Sequence, residues 1–229
     1  MSEKKEDVKT IDSEYQNLNQ MTLSGWLDYH QKNVVFDKVS WMGIPTLKTV
    51  LDLWIYQELI YSLRPDLIIE MGSFKGGSTL YLAQMLEQIG HGCIISVDLD
   101  HSHFMASHTR ITTVTGSTQD PAIIERLKGE ASGRSVMIIH DADHSRNMVL
   151  ADLQTYADLV SKNSYFIVED GVVDLFAEDT LLGSTMGGPG PLPAVRKFLE
   201  QDQRFIIDRS CERYLLTYNP CGYLKKIAE

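Results

Sequence analysis

The sequence contains few cysteines, few basic residues and no long apolar run. Cys93, Cys211 and Cys221 are an odd number without a CxxC pair, so neither a disulfide framework nor a zinc site is indicated and a reducing compartment is expected. The N-terminus is too polar for a signal peptide, and no apolar stretch approaches the roughly 20 residues that a membrane helix requires. These absences predict a cytoplasmic protein with no membrane partner.

Positive charge is also scarce. The 21 Lys and Arg residues are outnumbered by 31 Asp and Glu residues, which gives a formal net charge of −10. Proteins that hold nucleic acid backbones need clustered Lys and Arg, so a nucleic acid partner is not expected. A length of 229 residues with 43% hydrophobic residues fits one soluble globular domain.

Short apolar runs alternate with helical patterns along most of the chain. The runs are DLIIEMG at 66–72, CIISVDLD at 93–100, ITTVTG at 111–116, SVMIIHDAD at 135–143 and SYFIVEDG at 164–171. Helices are predicted over 46–63, 78–89, 121–128, 147–160 and 194–201. Buried strands alternating with helices predict an α/β fold with a doubly wound, mostly parallel sheet.

Both ends of the chain depart from this alternation. RFIID at 204–208 and YLLTYN at 214–219 are close enough to form a terminal hairpin, which adds an antiparallel edge to the sheet. Residues 1–40 are predicted to be an N-terminal extension that serves oligomerisation or covers the substrate, and residues 41–229 form the main domain. The Gly- and Pro-rich stretch 173–193 is predicted to form a lid over the substrate.

Polar residues concentrate at the carboxyl ends of the predicted strands, where open α/β sheets bind ligands. Glu70 ends the first strand, and a Gly-rich turn from Gly72 to Ser78 follows it. This turn is not GxGxxG, which disfavours a nicotinamide dehydrogenase. Asp98 ends the second strand, where a carboxylate is placed to accept hydrogen bonds from ribose hydroxyls. Glu70 and Asp98 together favour a nucleoside that carries no pyrophosphate.

A second group of acids lies at the ends of the fourth and fifth runs. Asp141 precedes Glu169 by 28 residues, the interval that a strand–helix–strand unit needs to bring neighbouring strand ends together. Because converging carboxylates repel one another, a divalent cation held by Asp141, Glu169 and Asp170 is expected. Oxygen ligands suit Mg²⁺, with Mn²⁺ or Ca²⁺ as substitutes, and Asp143 is an alternative to Asp141. His144 has the pKa range to take a proton from a hydroxyl near neutral pH.

These motifs, taken in order, resemble the cephalosporin hydroxylase family. The resemblance is carried by IIEMGSFKGGS, VDLD, GSTQD, HDADHS, FIVEDG, GGPGP and YLLTYNPCGYLKK, and it runs from about Trp41 to the C-terminus. Better understood members of this family resemble S-adenosylmethionine-dependent O-methyltransferases. The resemblance implies a class I methyltransferase fold, Rossmann-like, whose seven-stranded sheet ends in the antiparallel hairpin, and it implies a homo-oligomer.

The resemblance also implies roles for the matching residues. Glu70, Gly72, Ser73 and Ser78 would line the methionine part of S-adenosylmethionine, Asp98 would bind its ribose, and Thr118 and Gln119 would lie near its adenine. Asp141, Glu169 and Asp170 match the metal ligands of Mg²⁺-dependent O-methyltransferases, and His144 matches the catalytic base of those that modify sugars.

The expected reaction is methyl transfer to a hydroxyl of a small-molecule natural product, either a sugar or a phenol. Two other classes stay open. One is a non-catalytic nucleoside-binding module. The other is a metal-dependent hydroxylase, which would need two histidines and one carboxylate around iron, whereas the strand-end cluster is rich in carboxylates and has one histidine.

Overall fold

The protein is described from a computed structural model, which describes residues 19–176 and 189–229. Ahead of the main sheet lie helix α1 (Leu23–His30), a π-helical turn (Gln31–Val35), the short helix α2 (Phe36–Lys38), and a ribbon of strands β1 (Ser40–Trp41) and β2 (Ile44–Pro45).

Helices and strands then alternate along the chain. In order they are α3 (Val50–Leu63), β3 (Leu67–Met71), α4 (Gly77–Gln88), β4 (Cys93–Asp98), β5 (Ile111–Thr115), α5 (Pro121–Ala131), β6 (Val136–His140), α6 (Arg146–Tyr156), β7 (Tyr165–Val168), α7 (Pro191–Gln201), β8 (Phe205–Ile207) and β9 (Tyr223–Lys226). Short 3₁₀ turns occur at Ala157–Leu159, Gly171–Leu175 and Arg209–Glu212.

The main sheet has seven strands in the order β5-β4-β3-β6-β7-β9-β8. Strands β3 to β7 are parallel, whereas β9 pairs antiparallel with both β7 and β8. The predicted α/β fold with a mostly parallel seven-stranded sheet and an antiparallel end hairpin is confirmed. The chain runs outward from β3 to β5 and then returns to β6 beside β3, so the strand order reverses between β3 and β6. Ligands of open α/β sheets bind at such a point.

The position predicted for the last strand is wrong. Residues 214–219 form no strand, and Tyr223–Lys226 pairs with β7 and β8 instead. The backbone N–H of Tyr218 donates to Asp52 of α3 at 2.9 Å, and the Thr217 hydroxyl donates to the same carboxylate at 2.6 Å. These bonds direct residues 217 and 218 toward α3 rather than along the sheet edge.

Helix α3 begins four residues later than its apolar pattern predicts. Thr49 is the N-cap, and its hydroxyl accepts from the backbone N–H of Leu51 at 3.4 Å. Residues 46–49 are therefore irregular chain, which allows Lys48 to turn toward the strand ends.

Apolar residues cover both faces of the sheet, which explains why the strand sequences are continuous apolar runs. Within β3, Leu67 and Ile69 pack under α5, α6 and α7, whereas Ile68 packs under α3 and α4. None of the described helices is both long and apolar enough to cross a membrane.

The N-terminal helices pack beside the strand ends. Val35 of the π-helical turn clusters with Val172, Val173 and Tyr218, and Leu27 of α1 packs against the same cluster. The boundary predicted at residue 40 stays a prediction, and residues 1–18 lie outside the described residues. Most of the predicted lid, residues 177–188, lies outside them as well.

Candidate active site

A cavity of about 680 Å³ opens at the carboxyl ends of the parallel strands. Many of the predicted site residues line it, namely Gly72, Ser73, Ser78, Asp98, Thr118, Asp141, His144 and Asp170. Glu70, Gln119 and Glu169 are not among the lining residues, and each is held by hydrogen bonds described below.

The two central strands meet at Gly72. Its φ is +85°, and a Cβ built there would lie 1.9 Å from the backbone oxygen of Asp141. The backbone N–H of Asp141 in turn donates to the carbonyl of Met71 at 2.7 Å. Only glycine permits this approach, so Gly72 determines how close Asp141 comes to the Gly-rich turn.

Asp98 is fixed by the backbone of that turn. Its Oδ2 accepts from the N–H of Ser73 at 2.8 Å and of Phe74 at 3.1 Å, and its Oδ1 accepts from the N–H of Asp100 at 3.2 Å. Burial alone would raise the pKa of Asp98, but these hydrogen bonds outweigh it and lower the pKa below its usual value. Asp98 is thus an ionised, oriented acceptor at the cavity wall, as ribose binding requires.

Glu70 is fully buried and points toward the start of α4. Its carboxylate accepts from the Ser78 hydroxyl at 2.6 Å and from the Thr79 hydroxyl. Burial raises the pKa of Glu70 to about 7, although both hydroxyls act to lower it. Glu70 therefore fastens β3 to α4 beneath the cavity, and its predicted contact with the methionine part of the cofactor stays a prediction.

Gln119 is partly buried beside Thr118 and bonds to a chain of buried polar groups. Its Nε2 donates to Asp152 at 2.6 Å, and the other oxygen of Asp152 lies 2.9 Å from Nε2 of His140. Asp152 itself lines the cavity. The arrangement fixes the Gln119 amide near the end of β5, and its role beside adenine stays a prediction.

The acids predicted to bind metal form a cluster with His144. Ligand atoms of Asp141, His144 and Asp170 all lie within 4.8 Å of one another. Nε2 of His144 is 3.3 Å from Oδ2 of Asp170 and 3.8 Å from Oδ1 of Asp141. Asp143 instead accepts from the N–H of Ser145 at 2.8 Å, at the start of α6, so the geometry favours Asp141 over Asp143.

Asp170 is held in an uncommon backbone conformation. Its φ is 57°, in the left-handed region that non-glycine residues rarely adopt. Its N–H donates to Oδ1 of Asn219 at 3.2 Å, while Nδ2 of Asn219 donates to the Tyr56 hydroxyl at 3.0 Å. Strain of this kind is common at functional sites, where the surroundings enforce it.

Lys48 is a site residue that sequence reasoning missed. Its ammonium group donates to Asp141 and, at 2.6 Å, to Glu169, and its side chain is 4% exposed. Burial would lower the pKa of Lys48, but the charges of Asp141 and Glu169 raise it above the usual value. A sequence signal was present, because Thr49-x-x-Asp52 has the form of a helix N-terminus and would have left Lys48 outside the helix.

Glu169 lies beside the acid cluster, not within it. One oxygen accepts from Lys48 and the other accepts from the Tyr56 hydroxyl at 2.8 Å. The Glu169 carboxylate thus reaches a metal only after Lys48 moves away from it. Its predicted role as a ligand stays a prediction.

The cluster has the chemistry that a Mg²⁺ site requires. The side chains of Asp141 and Asp170 are 22% and 26% exposed and face the cavity. Burial raises the pKa of Asp170, His144 opposes this shift, and the charge of Glu169 adds to it. A hard divalent cation with oxygen ligands would relieve the repulsion between these carboxylates. Among the described residues the cluster holds one histidine, which disfavours the hydroxylase alternative.

The fold is that of a class I methyltransferase, and the acid cluster at its strand ends is the candidate metal site. The family model for Rhamnosyl O-methyltransferase/CmcI matches residues 33–227, and the chain belongs to this family. Rhamnosyl O-methyltransferase of Mycobacterium tuberculosis strain H37Rv is 36% identical over 210 residues, which cover 86% of this chain and 83% of the relative. The Mycobacterium leprae enzyme of the same name is 38% identical over 152 residues, 62% of this chain and 66% of the relative.

Solved structures share the fold. A CmcI structure with Mg and S-adenosylmethionine has a TM-score of 0.67 at 21% identity and covers 85% of this chain and 79% of its own. A CmcI structure with S-adenosylhomocysteine has a TM-score of 0.63 at 19% identity and covers 85% of both chains. The predicted enzyme class is confirmed: the chain is an O-methyltransferase of this family. The Mg, S-adenosylmethionine and S-adenosylhomocysteine of the two CmcI structures agree with the predicted cofactors.

Proposed function

We propose that this enzyme methylates a hydroxyl group of a sugar, with Asp141 and Asp170 as metal ligands and His144 as the base. The observation that carries the proposal is the cluster of these three residues, which opens into the same cavity as Gly72 and Asp98. The sugar is supported by the relatives at 36% identity, which are named rhamnosyl O-methyltransferases. A phenol is the alternative acceptor.

In this proposal Asp98 and the Gly72 turn bind the methyl donor, and His144 transfers the proton. When bound, S-adenosylmethionine supplies an electrophilic methyl group, and Mg²⁺ supplies positive charge that lowers the pKa of the acceptor hydroxyl. Asp98 orients the donor through its ribose, and the Gly72 turn allows the backbone to approach it. His144 takes the hydroxyl proton at Nε2, and the Asp170 carboxylate 3.3 Å away stabilises the resulting imidazolium.

The metal role is tested with labelled S-adenosylmethionine and 4-nitrophenyl α-L-rhamnopyranoside, in Mg²⁺ and in a chelator. Asp170→Asn should lower methyl transfer by roughly 100-fold or more while leaving cofactor affinity nearly unchanged. Asp143→Asn is the matched control, because Asn keeps an oxygen for the N–H of Ser145. Unchanged turnover in the chelator would remove the metal from the proposal.

The base is tested by the pH profile of His144→Ala. We expect a loss of roughly 100-fold near neutral pH, with partial recovery as hydroxide replaces the imidazole at higher pH. A normal rate at neutral pH would exclude His144 as the base.

The homo-oligomeric state and the cytoplasmic location also belong to this proposal. An oligomer is supported by large apolar side chains that α3 exposes, with Val50, Trp54 and Tyr61 between 57% and 71% exposed. Light scattering during size exclusion measures the assembly, and a monomer at micromolar concentration contradicts it.

A further inference from the structure

Gln31 lines the cavity from a turn that packs beside the end of strand β7. Along the sheet edge, Thr118 follows β5, Asp98 ends β4, Asp141 follows β6, and Asp170 follows β7. The π-helical turn packs through Val35 onto Val172 and Val173, just after Asp170. Gln31 begins this turn and lines the cavity. Asp141 and Asp170 thus lie between Asp98, on the predicted cofactor side of the cavity, and Gln31. The part of the cavity near Gln31 is left for the acceptor.

The side chain of Gln31 has an unused hydrogen-bonding atom. Gln31 is 7% exposed, and its Oε1 is buried without a hydrogen-bond partner in the part of the chain that the structure describes. Buried polar atoms are almost always paired, because an unpaired one loses its hydration without compensation. The π-helical geometry of Gln31–Val35 also supports a ligand role for Gln31, since π turns are frequent at functional sites. Because Gln31 lines the cavity, a rotation of its side chain would bring Oε1 to a ligand hydroxyl there, which would supply the missing partner.

Apolar groups line the same cavity as Gln31. Phe36, Leu47 and Val173 line the cavity together with Gln31. A polar amide set among apolar side chains suits a ring that has both hydroxyls and C–H faces, as sugars do.

We infer that Gln31 binds a hydroxyl of the acceptor other than the one that is methylated and other than its metal-bound neighbour. Oε1 accepts the hydrogen bond from this third hydroxyl. A simple catechol has two hydroxyls, and both are used at the metal, so Gln31 selects a sugar over a catechol. The inference rests on the proposed function, and it identifies Gln31 as the residue that recognises the acceptor.

The test compares Gln31→Leu with the wild-type enzyme on 4-nitrophenyl α-L-rhamnopyranoside and its three monodeoxy derivatives. Gln31→Leu should raise KM for the parent glycoside roughly tenfold to 100-fold. It should leave kcat and the Kd of S-adenosylmethionine nearly unchanged, because the contact is equal in the ground and transition states. The deoxy derivative that lacks the hydroxyl bound by Gln31 should have a KM with the wild-type enzyme that is raised to the same extent above that of the parent glycoside. Its KM with Gln31→Leu should be no higher than with the wild-type enzyme.

Two further variants keep the result interpretable. Lys32→Leu, at the exposed neighbour in the same turn, should behave as the wild type. Gln31→Glu keeps an acceptor oxygen and should restore KM toward the wild-type value, which a merely structural role of Gln31 would not predict.

The outcomes separate this inference from the proposed function. Wild-type turnover of the glycoside with an unchanged KM in Gln31→Leu overturns the role of Gln31 alone. Turnover of 3,4-dihydroxybenzoate without turnover of the glycoside overturns the sugar acceptor and the inference with it, and so does an enzyme that accepts neither probe.

Discussion

The charge of Lys48 holds two of the site's carboxylates together. Lys48 is 4% exposed and bonded to Asp141 and Glu169. Its removal would leave the buried Glu169 and the partly exposed Asp141 without its counter-charge. We expect Lys48→Met to lower the free energy of unfolding by about 3 kcal/mol in metal-free buffer. Mg²⁺ should restore more stability to the variant than to the wild type, since it replaces the lost positive charge.

Denaturant titrations with and without Mg²⁺ measure this effect. Lys128→Met, at an exposed position on α5, is the control and should change stability by less than about 0.5 kcal/mol. Equal stability of Lys48→Met and wild type in the chelator would show that the carboxylates need no counter-charge from Lys48.

Some of these residues are predictable from the sequence, and others are not. Asp98 ends one buried strand and Asp141 directly follows another, so their position at the sheet edge follows from strand order alone. Lys48 precedes a helix, and its contact with Glu169 spans 121 residues of sequence. Such a contact depends on how α3 packs, which a local pattern does not encode.

At the scale of elements, the site depends on how closely β3 and β6 approach. A Cβ at Gly72 would lie 1.9 Å from the Asp141 carbonyl oxygen, whereas at Gly90, also in the left-handed region at φ +68°, a Cβ meets nothing within 4 Å. We expect Gly72→Ala to cost about 3 kcal/mol or more and to abolish cofactor binding. Gly90→Ala should cost about 1 kcal/mol, from backbone strain alone.

Thermal unfolding and calorimetric titration with S-adenosylmethionine distinguish the two variants. If both lose stability equally and both keep the cofactor, the strand ends have more freedom than the structure shows.

The terminal hairpin shows where local patterns fail. Residues 214–219 and Tyr223–Lys226 both carry aromatic and apolar residues suited to a strand, and the local sequence does not decide between them. The backbone N–H of Tyr218 donates to the carboxylate of Asp52, so it is not available to pair with a strand of the sheet. A buried acid on a distant helix therefore determines which segment becomes β9.

At the scale of the whole molecule, Asp52 fastens helix α3 to the C-terminal segment. Its carboxylate accepts from the Thr217 hydroxyl at 2.6 Å, from the Tyr218 N–H at 2.9 Å and from the Tyr223 hydroxyl at 2.8 Å. Burial raises the pKa of Asp52 from 3.8 to about 6, although these three donors lower it.

This shift makes the stability of the fold depend on pH. Well below pH 3.8 the Asp52 carboxyl is protonated in both the folded and the unfolded chain, so its contribution to stability is then fully present. As the pH rises through 3.8 the unfolded chain releases the proton first. The folded state loses stability until its own carboxyl ionises above about pH 6, a total loss of about 3 kcal/mol. Asp52→Asn cannot ionise, and its amide can still accept from the Tyr218 N–H while donating to the two hydroxyl oxygens. Urea titrations of the full chain at pH 4 and pH 6.5 measure the effect. Between these two values, the unfolding free energy of Asp52→Asn should rise by about 2 kcal/mol relative to that of the wild type. Parallel pH curves for the two proteins would mean that Asp52 has its usual pKa in the fold, because its three donors then offset its burial completely.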